Sequence, residues 1–281
     1  MKIKTLTIVG VGLIGGSIGL AARRRGIAGR VVGVGRDPNT LERARARGAL
    51  DETSLDPQAA AAGADLMVFC TPVDLIARQV VAAGRSCRPG ALLTDAGSTK
   101  GAIVRDVQGR LPPGVAFVGS HPLAGSEKQG ADHASANLFE GRLVVVTPGA
   151  DTDDNALSRV LGFWQALGAR VRVMGPEEHD RALALTSHLP HLVAAALAGL
   201  LPADLYELTA GGFRDTTRIA AGSPALWGAI CEANREALLA GLDRFDARLR
   251  RFRQALAGGD RAALEALLGE GKRARDDLAS L

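Results

Sequence analysis

The sequence predicts an α/β protein, with a parallel-sheet domain followed by an all-helical domain. Three observations predict it. Short runs rich in Val, Ile and Leu alternate with helical runs from residue 5 to residue 173. Most of those short runs are apolar nearly throughout, which marks strands buried on both faces of a parallel sheet. After Gly175-Pro176 no convincing strand follows, and Ala/Leu-rich segments with helical period run from Glu177 to about Leu201 and from Leu226 to the end.

The elements follow in order. Thr5–Val9 reads as a strand that ends at Gly10, and a helix continues to about Gly26. Val31–Val34 is a second strand. Pro38 to Gly48 reads as a helix, with proline in its first turn and glycine at its end. Leu66–Cys70 is a buried strand stopped by Thr71-Pro72. Ala91–Asp95, Val115–Gly119, Leu143–Thr147 and Arg170–Val173 complete the set. The change of pattern places the domain boundary near Gly175, giving domains 1–174 and 175–281. The last segment, Asp260 to Leu281, reads as a charged amphipathic helix.

Composition narrows the function classes. A chain of 281 residues has room for two domains. Its 47% apolar and 23% charged residues suit a packed globular protein. The net charge of +4 comes from 29 Arg against only 5 Lys, and the arginines are spread along the chain. That pattern reads as solvated faces with a taste for anionic ligands. Aromatic residues are only 4%, too few for the stacking platforms of a nucleic-acid surface, so no nucleic-acid partner is expected. Cys70, Cys87 and Cys231 are widely spaced and no CxxC or Cys/His cluster occurs, so neither a metal site nor a disulfide framework is expected. The N-terminus runs straight into a short strand without a signal-peptide h-region. No run of about 20 uninterrupted apolar residues suggests a membrane span. The expectation is a cytoplasmic protein.

Gly10-Val11-Gly12-Leu13-Ile14-Gly15 is a G-x-G-x-x-G motif. Alone it is weak, but here it follows the first strand and opens a helix. Gly10 permits the tight turn, Gly12 lets the backbone approach a pyrophosphate, and Gly15 allows close helix–strand contact. The helix start then presents free N–H groups to the anion. The first domain is therefore read as a Rossmann-type dinucleotide-binding domain. The second strand ends Val34-Gly35-Arg36-Asp37. Gly35 stands where an acid would hold the ribose 2′-hydroxyl of NAD, and Arg36 can pair with a 2′-phosphate. This favours NADP over NAD, although Asp37, slightly late in the sequence, remains open as a ribose ligand.

Three segments are unusually polar. Thr94 to Lys100 and Gly119 to Gly130 each follow a strand, where open α/β sheets bind ligands. The third runs from Thr186 to His191, followed later by Gly211 to Arg218. His121, on a loop beside Pro122, is either a general base or a loop histidine satisfied by its surroundings. Ser98 can hydrogen-bond it or a substrate. Arg218 is either a carboxylate clamp or a surface ion pair, with Asp215 three residues earlier on one helical face.

These segments together resemble the prephenate/arogenate dehydrogenase family of tyrosine biosynthesis. The resemblance rests on Gly-Leu-Ile-Gly-Gly-Ser at 12–17, Cys-Thr-Pro at 70–72 and Asp-x-Gly-Ser-x-Lys at 95–100. It rests equally on Ser-His-Pro-Leu-Ala-Gly-Ser at 120–126, Ser-His-Leu-Pro-His at 187–191 and Gly-Phe-Arg-Asp-Thr-Thr-Arg-Ile-Ala at 212–220. The motifs stand in family order and span most of the chain. The resemblance implies His121 as catalytic histidine with Ser98 as its partner. It implies a substrate site built from Arg218, Asp215, His188, Ser126, Glu127 and Trp227. Cys70, Thr71 and Pro72 would join Gly10, Gly12, Leu13, Ile14, Gly15, Arg36 and Asp37 against the cofactor. The family's helical domain builds a homodimer, so a homodimer is expected. His191 is read as packing between helices, and His133 and His179 as surface residues.

The implied reaction is oxidative decarboxylation of prephenate to 4-hydroxyphenylpyruvate, with hydride transfer to NAD(P)+. The charged pair Glu127-Lys128 inclines the reading to prephenate, with arogenate as the alternative. Two further alternatives are another reductase of the same two-domain plan and a non-catalytic NADP sensor. A sensor would have no reason to keep His121, Ser98 and Arg218 together.

Overall fold

A computed structural model describes residues 3–125 and 130–280. Among these residues eight strands form one sheet: β1 (Ile3–Val9), β2 (Ala28–Val34), β3 (Glu52–Ser54), β4 (Leu66–Phe69), β5 (Leu92–Asp95), β6 (Ala116–Pro122), β7 (Leu143–Thr147) and β8 (Arg170–Val173). Their order is β3-β2-β1-β4-β5-β6-β7-β8. The parallel strands are joined by α1 (Leu13–Arg24), α2 (Pro38–Ala46), α3 (Pro57–Ala62), α4 (Val73–Gly84) and α5 (Gly101–Val107), and α6 (Asp154–Ala166) joins β7 to β8. From β1 the chain passes first to β2 on one side and later to β4 on the other, so the strand order reverses between β1 and β4. Ligands of open α/β sheets bind at such a reversal, outside the carboxyl ends of the strands.

The register brings those ends level. Val9 lies opposite both Val34 and Phe69, Phe69 lies opposite Asp95, and Thr94 lies opposite Val118. The residues that follow Val9, Phe69, Asp95 and Val118 therefore emerge along one edge. Two apolar clusters sandwich the sheet. One gathers Leu6, Ile18, Phe139, Phe163 and Trp164; the other gathers Met67, Phe69, Ile76, Val80 and Ile103.

Two features depart from the sequence reading. First, β7 runs antiparallel to β6, with Gly119 opposite Thr147 and His121 opposite Val145. A parallel return needs a crossover, usually a helix. Between Pro122 and Leu143 the described residues hold only a 3₁₀ turn, Ala131–His133, so the chain doubles back. Second, β3 is a strand the sequence reading omits. Its residues Glu52, Thr53 and Ser54 are polar and stand at the sheet edge, so no apolar run marks it.

Strands cease at Val173 and helices follow: α7 (Pro176–Leu183), α8 (Leu189–Gly199), α9 (Gly211–Thr217), α10 (Pro224–Ala233), α11 (Arg235–Ala257) and α12 (Arg261–Ala279). Between α7 and α8 the helix widens into a π turn over Ala184–His188. Pro190 follows at once and has no N–H to give to the turn before it, which accounts for the local change of hydrogen-bond register. The run Pro176–Gly199 is long and apolar enough to cross a membrane by length and composition alone. It opens with the polar residues Glu177, Glu178, His179, Asp180 and Arg181, and it buries His179 and Asp180 in hydrogen bonds within the protein, so length and composition are weak evidence for a span.

By internal contacts the chain divides into two compact units, Met1–Asn234 and Arg235–Leu281. In the first, α10 packs on the sheet domain, where Ile230 joins the cluster around α4. The second is a helical hairpin of α11 and α12. Gly259 turns it at φ +64°, Asp260 caps α12 through the Ala263 N–H, and Arg248 pairs with Glu270 at 2.7 Å.

Candidate active site

The glycine loop meets β4 at the strand-order reversal. Gly10 has φ +91°, and a Cβ on it would lie 2.8 Å from the Cys70 carbonyl oxygen. A Cβ on Gly15 would lie 2.1 Å from the Gly10 carbonyl oxygen, so α1 can approach the loop this closely only without a side chain there. Gly12 differs: no protein atom lies within 4 Å of where its Cβ would be. Gly12 is also the N-cap of α1, with no side-chain cap and no acid in the first turn. Leu13 and Ile14 supply that first turn, half-buried. Open space, uncapped N–H groups and the positive end of a helix dipole fit a dinucleotide pyrophosphate. Cys70, Thr71 and Pro72 stand beside the loop at the end of β4. The Thr71 hydroxyl donates to Gln79 Oε1 at 2.5 Å, and burial, with Asp95 adding to it, pushes the Cys70 thiol up out of reach of ionisation.

At the end of β2, Asp37 has a structural task. Its carboxylate caps α2, accepting from the N–H groups of Asn39 and Thr40 at 3.0 and 3.2 Å and from the Thr40 hydroxyl at 2.5 Å. The Thr40 hydroxyl and the backbone N–H groups hold its pKa below the ordinary carboxylate value. Arg36 is exposed beside it. A Cβ on Gly35 would meet the Leu41 side chain at 3.2 Å.

The floor of the site is a buried polar cluster at the ends of β5 and β6. Asp95 and Lys100 form an ion pair with both side chains fully buried. The second carboxylate oxygen of Asp95 accepts from the Ser120 N–H at 3.0 Å. The Ser120 hydroxyl donates to the Asp95 carbonyl at 2.5 Å and accepts from Trp164 Nε1 at 2.9 Å. Lys100 also donates to the Ser120 carbonyl at 3.0 Å. Ser98 sits half-buried in the turn between Asp95 and Lys100 and makes no hydrogen bond among the described residues. Of the two roles read for Ser98, a hydrogen bond to His121 is not among its contacts here, and a bond to substrate stays open.

His121 lies within strand β6, not on a loop, and is held by pairing with β7. Its Nδ1 stands 2.9 Å from His179 Nε2. His179 Nδ1 in turn stands 2.8 Å from Asp180 Oδ1. Asp180 also accepts from the N–H groups of Lys100 at 2.7 Å and Gly101 at 2.8 Å, where α5 begins. Burial alone would raise the Asp180 carboxyl, but the hydrogen bonds from His179, Gly101 and Lys100 outweigh it and hold the pKa below the ordinary value. His121 is driven the other way. Burial, reinforced by His179, Lys100 and His188, lowers it well below an ordinary histidine. It is held neutral, with Nε2 making no hydrogen bond among the described residues and 9% of the residue exposed.

His179 corrects the surface reading of the sequence: it is completely buried. Polar neighbours in sequence, Glu177, Glu178 and Arg181, disguised it. Asn234, also unanticipated, extends the chain of contacts. Its Nδ2 donates to the Asp180 carbonyl at 2.7 Å and reaches His188 Nδ1 at 3.0 Å. His188 follows the π turn, fully buried, and burial pushes its pKa down to about 4. Its Nε2 is buried without a partner among the described residues. Beyond it comes Trp227, edge-on to His188 at 6.2 Å, and His191 stacks flat on Trp227 at 3.5 Å. Gly222 lines this stack so tightly that a Cβ would fall 2.5 Å from Trp227 Nε1.

The structure thus joins His121, His188 and Trp227 through His179, Asp180 and Asn234. Asp215 and Arg218 are exposed, the first on α9 and the second opening the 3₁₀ turn Arg218–Ala221. Ser126 and Glu127 lie outside the described residues, as does Lys128. Among the described residues no group of three His, Cys, Asp or Glu could hold a metal ion.

A glycine cradle for a dinucleotide, a neutral buried histidine on the same edge of the sheet and a helical half beyond it define an NAD(P)-dependent oxidoreductase of the Rossmann class. The comparisons with known proteins narrow the class. Residues 18–173 match the family model described as prephenate dehydrogenase, nucleotide-binding domain, and residues 175–270 match the one described as prephenate dehydrogenase, dimerization domain. The chain belongs to the prephenate dehydrogenase family. It is 36% identical over 279 residues to the cyclohexadienyl dehydrogenase of Zymomonas mobilis, covering 97% of this chain and 95% of that protein. Among solved structures it is similar to prephenate dehydrogenase from A. aeolicus in complex with hydroxyphenyl propionate and NAD+. That likeness has a TM-score of 0.92 and 32% identity and covers 99% of both chains. It is also similar to Synechocystis arogenate dehydrogenase, with a TM-score of 0.81 and 32% identity over 98% of this chain and 99% of that one.

Proposed function

We propose that this chain oxidises and decarboxylates prephenate to 4-hydroxyphenylpyruvate in tyrosine biosynthesis, with His121 as the catalytic residue. The observation that carries the reading is His121 itself. It is neutral, it is held in a strand at the ligand-binding edge of the sheet, and its Nε2 has no hydrogen-bond partner among the described residues. Prephenate bears a hydroxyl on the ring carbon opposite its ring carboxylate. Bound NAD(P)+ supplies the hydride acceptor. As carbonyl character develops at the hydroxyl-bearing carbon, His121 Nε2 takes the hydroxyl proton. Loss of the ring carboxylate as carbon dioxide leaves its electron pair to the ring, which becomes aromatic. The proton then returns from His121 to the phenol oxygen. The rest of the chain orients the substrate and balances its charge. Arg218 is assigned to a substrate carboxylate, with Asp215 as its neighbour. His188 and Trp227 form the wall of the substrate pocket, Ser126 and Glu127 are assigned to substrate binding, and Ser98 aligns the hydroxyl once substrate is bound.

Arogenate is the second reading, favoured by the equal identity to the Synechocystis enzyme. We assign the cofactor as NADP in preference to NAD. Gly35 removes the acid that would repel a 2′-phosphate, Asp37 is engaged as a helix cap, and Arg36 is exposed to receive the anion. We take 1–174 as the dinucleotide-binding domain and 175–281 as the substrate and dimerisation domain of a cytoplasmic homodimer. Leu200, Leu205, Tyr206 and Leu208 stay exposed in that helical half, as a surface awaiting a second copy would. The test is a four-way rate assay on the purified protein, offering prephenate and arogenate each with NAD and NADP. Turnover of prephenate, faster with NADP, is expected; no turnover in any combination would overturn the reading.

A further inference from the structure

His179 and Asp180 lie outside every motif that carries the resemblance, yet both are buried and joined to His121. The hydrogen bonds decide how protons are arranged along them. The Asp180 carboxylate accepts from two backbone N–H groups and has only lone pairs to offer, so His179 Nδ1 must carry a hydrogen and donate to it. A neutral histidine has one N–H, so His179 Nε2 is left as an acceptor. The His121 nitrogen that faces it at 2.9 Å, Nδ1, must then be the donor. With its one hydrogen on Nδ1, a neutral His121 presents a bare lone pair at Nε2, the nitrogen with no hydrogen bond among the described residues.

We infer that His179 and Asp180 are positioning residues that lock His121 in its Nδ1–H tautomer, so that Nε2 can only accept the hydroxyl proton of the substrate. This rests on the reading of His121 as the residue that meets that hydroxyl. With the opposite tautomer, Nε2 would donate, and the O–H bond would have no base to break toward. When the proton does move, the O–H bond breaks and an Nε2–H bond forms. The imidazolium then keeps its Nδ1–H directed at His179, whose ring is backed by the Asp180 charge. The proton goes back along the same bond to the phenol oxygen. The geometry is rigid because Asp180 is tied to the start of α5 and His121 to the β6–β7 ladder.

The experiment is ¹⁵N NMR of the imidazole rings of the full chain, with His121 assigned by its loss in His121→Asn, run near pH 8 where histidines are generally neutral. The parent is expected to show His121 as the Nδ1–H tautomer. In His179→Leu the ring should turn over to the Nε2–H form, and kcat should fall on the order of 100-fold with KM within a few-fold. His179→Gln, whose side-chain oxygen can still accept from Nδ1–H, should restore the tautomer and most of the rate. An Nε2–H tautomer in the parent overturns the inference, and so does an unchanged tautomer or kcat in His179→Leu. If His179→Leu does not fold, the parent spectrum and His179→Gln still decide. The spectra need no substrate. A parent that shows the Nδ1–H tautomer but turns over neither prephenate nor arogenate refutes the functional reading and leaves the tautomer lock standing.

Discussion

Lys100 and Asp95 form an ion pair that no water reaches, five residues apart at the turn from β5 into α5. Burial lowers the Lys100 pKa, and the Asp95 charge opposes that shift. The pair survives because its remaining capacity is used. Asp95 accepts from the N–H groups of Gly97 and Ser120, and Lys100 donates to the Ser120 carbonyl. It thereby ties the end of β5 to the residue just before His121.

Removing one member should cost far more than the pair contributes, because the other charge stays buried alone. Lys100→Met is expected to lower unfolding stability by about 3–5 kcal/mol. Urea denaturation followed by circular dichroism measures it. A loss below about 1 kcal/mol would mean that Asp95 finds another partner or takes up a proton at little cost.

Acid should weaken the fold through its buried histidines. Burial holds His188 down to about 4, against an ordinary value of 6.5. The unfolded chain therefore binds a proton at higher pH than the folded one. The stability that neutral His188 contributes is complete above pH 6.5 and is lost as pH falls from there toward 4. His121 and His191 are shifted in the same direction, each chiefly by burial. For His188 alone the loss is on the order of 3 kcal/mol. Unfolding midpoints measured from pH 7.5 to pH 4 should fall steadily, and His188→Phe should flatten part of that slope. A parent whose midpoint is level across the range would contradict the burial of these rings as neutral groups.

The glycine loop separates folding from binding. Gly15→Ala must push a methyl group against the Gly10 carbonyl, so it should lower the melting temperature markedly. Gly12→Ala meets no protein atom and should leave melting within a degree or two of the parent. It should nonetheless weaken NAD(P) binding about tenfold or more, because the methyl group occupies the space read here as that of the pyrophosphate. Thermal melts and cofactor titration by fluorescence test both. Equal affinity in Gly12→Ala would move the pyrophosphate elsewhere.

Much of this architecture was legible in the residues. Leu143–Thr147 and Arg170–Val173 form strands at the residues read from the sequence, the first as an apolar run between turn signals and the second as β-branched valines alternating with arginines. Strand direction is not written in such runs, which is why the antiparallel β7 escaped notice. The glycine loop was legible because backbone crowding leaves few residue types. His179 was not, since what buries it is contact with β6 and Asp180, hydrogen-bonded to the start of α5, remote in sequence. Asn234, at the break between α10 and α11, was invisible for the same reason.

Cofactor choice is expected to rest on Arg36. It stands where β2 ends, beside a glycine in place of an acid, and its neighbour Asp37 is occupied by α2. An exposed guanidinium there gains a charge-assisted hydrogen bond from a 2′-phosphate and almost nothing from a 2′-hydroxyl. Such a bond is worth about 1.5–3 kcal/mol, or roughly 10- to 100-fold in affinity. Arg36→Ala should therefore reduce kcat/KM with NADP by that factor and leave kcat/KM with NAD within about twofold. Gly35→Asp should act in the same direction by repelling the phosphate, although its Cβ must displace Leu41 by a few tenths of an ångström. Initial rates with both cofactors at fixed prephenate measure the ratio. If Arg36→Ala lowers both values equally, the residue supports the adenosine end without reading its phosphate; if it changes neither, the selection lies elsewhere in the loop.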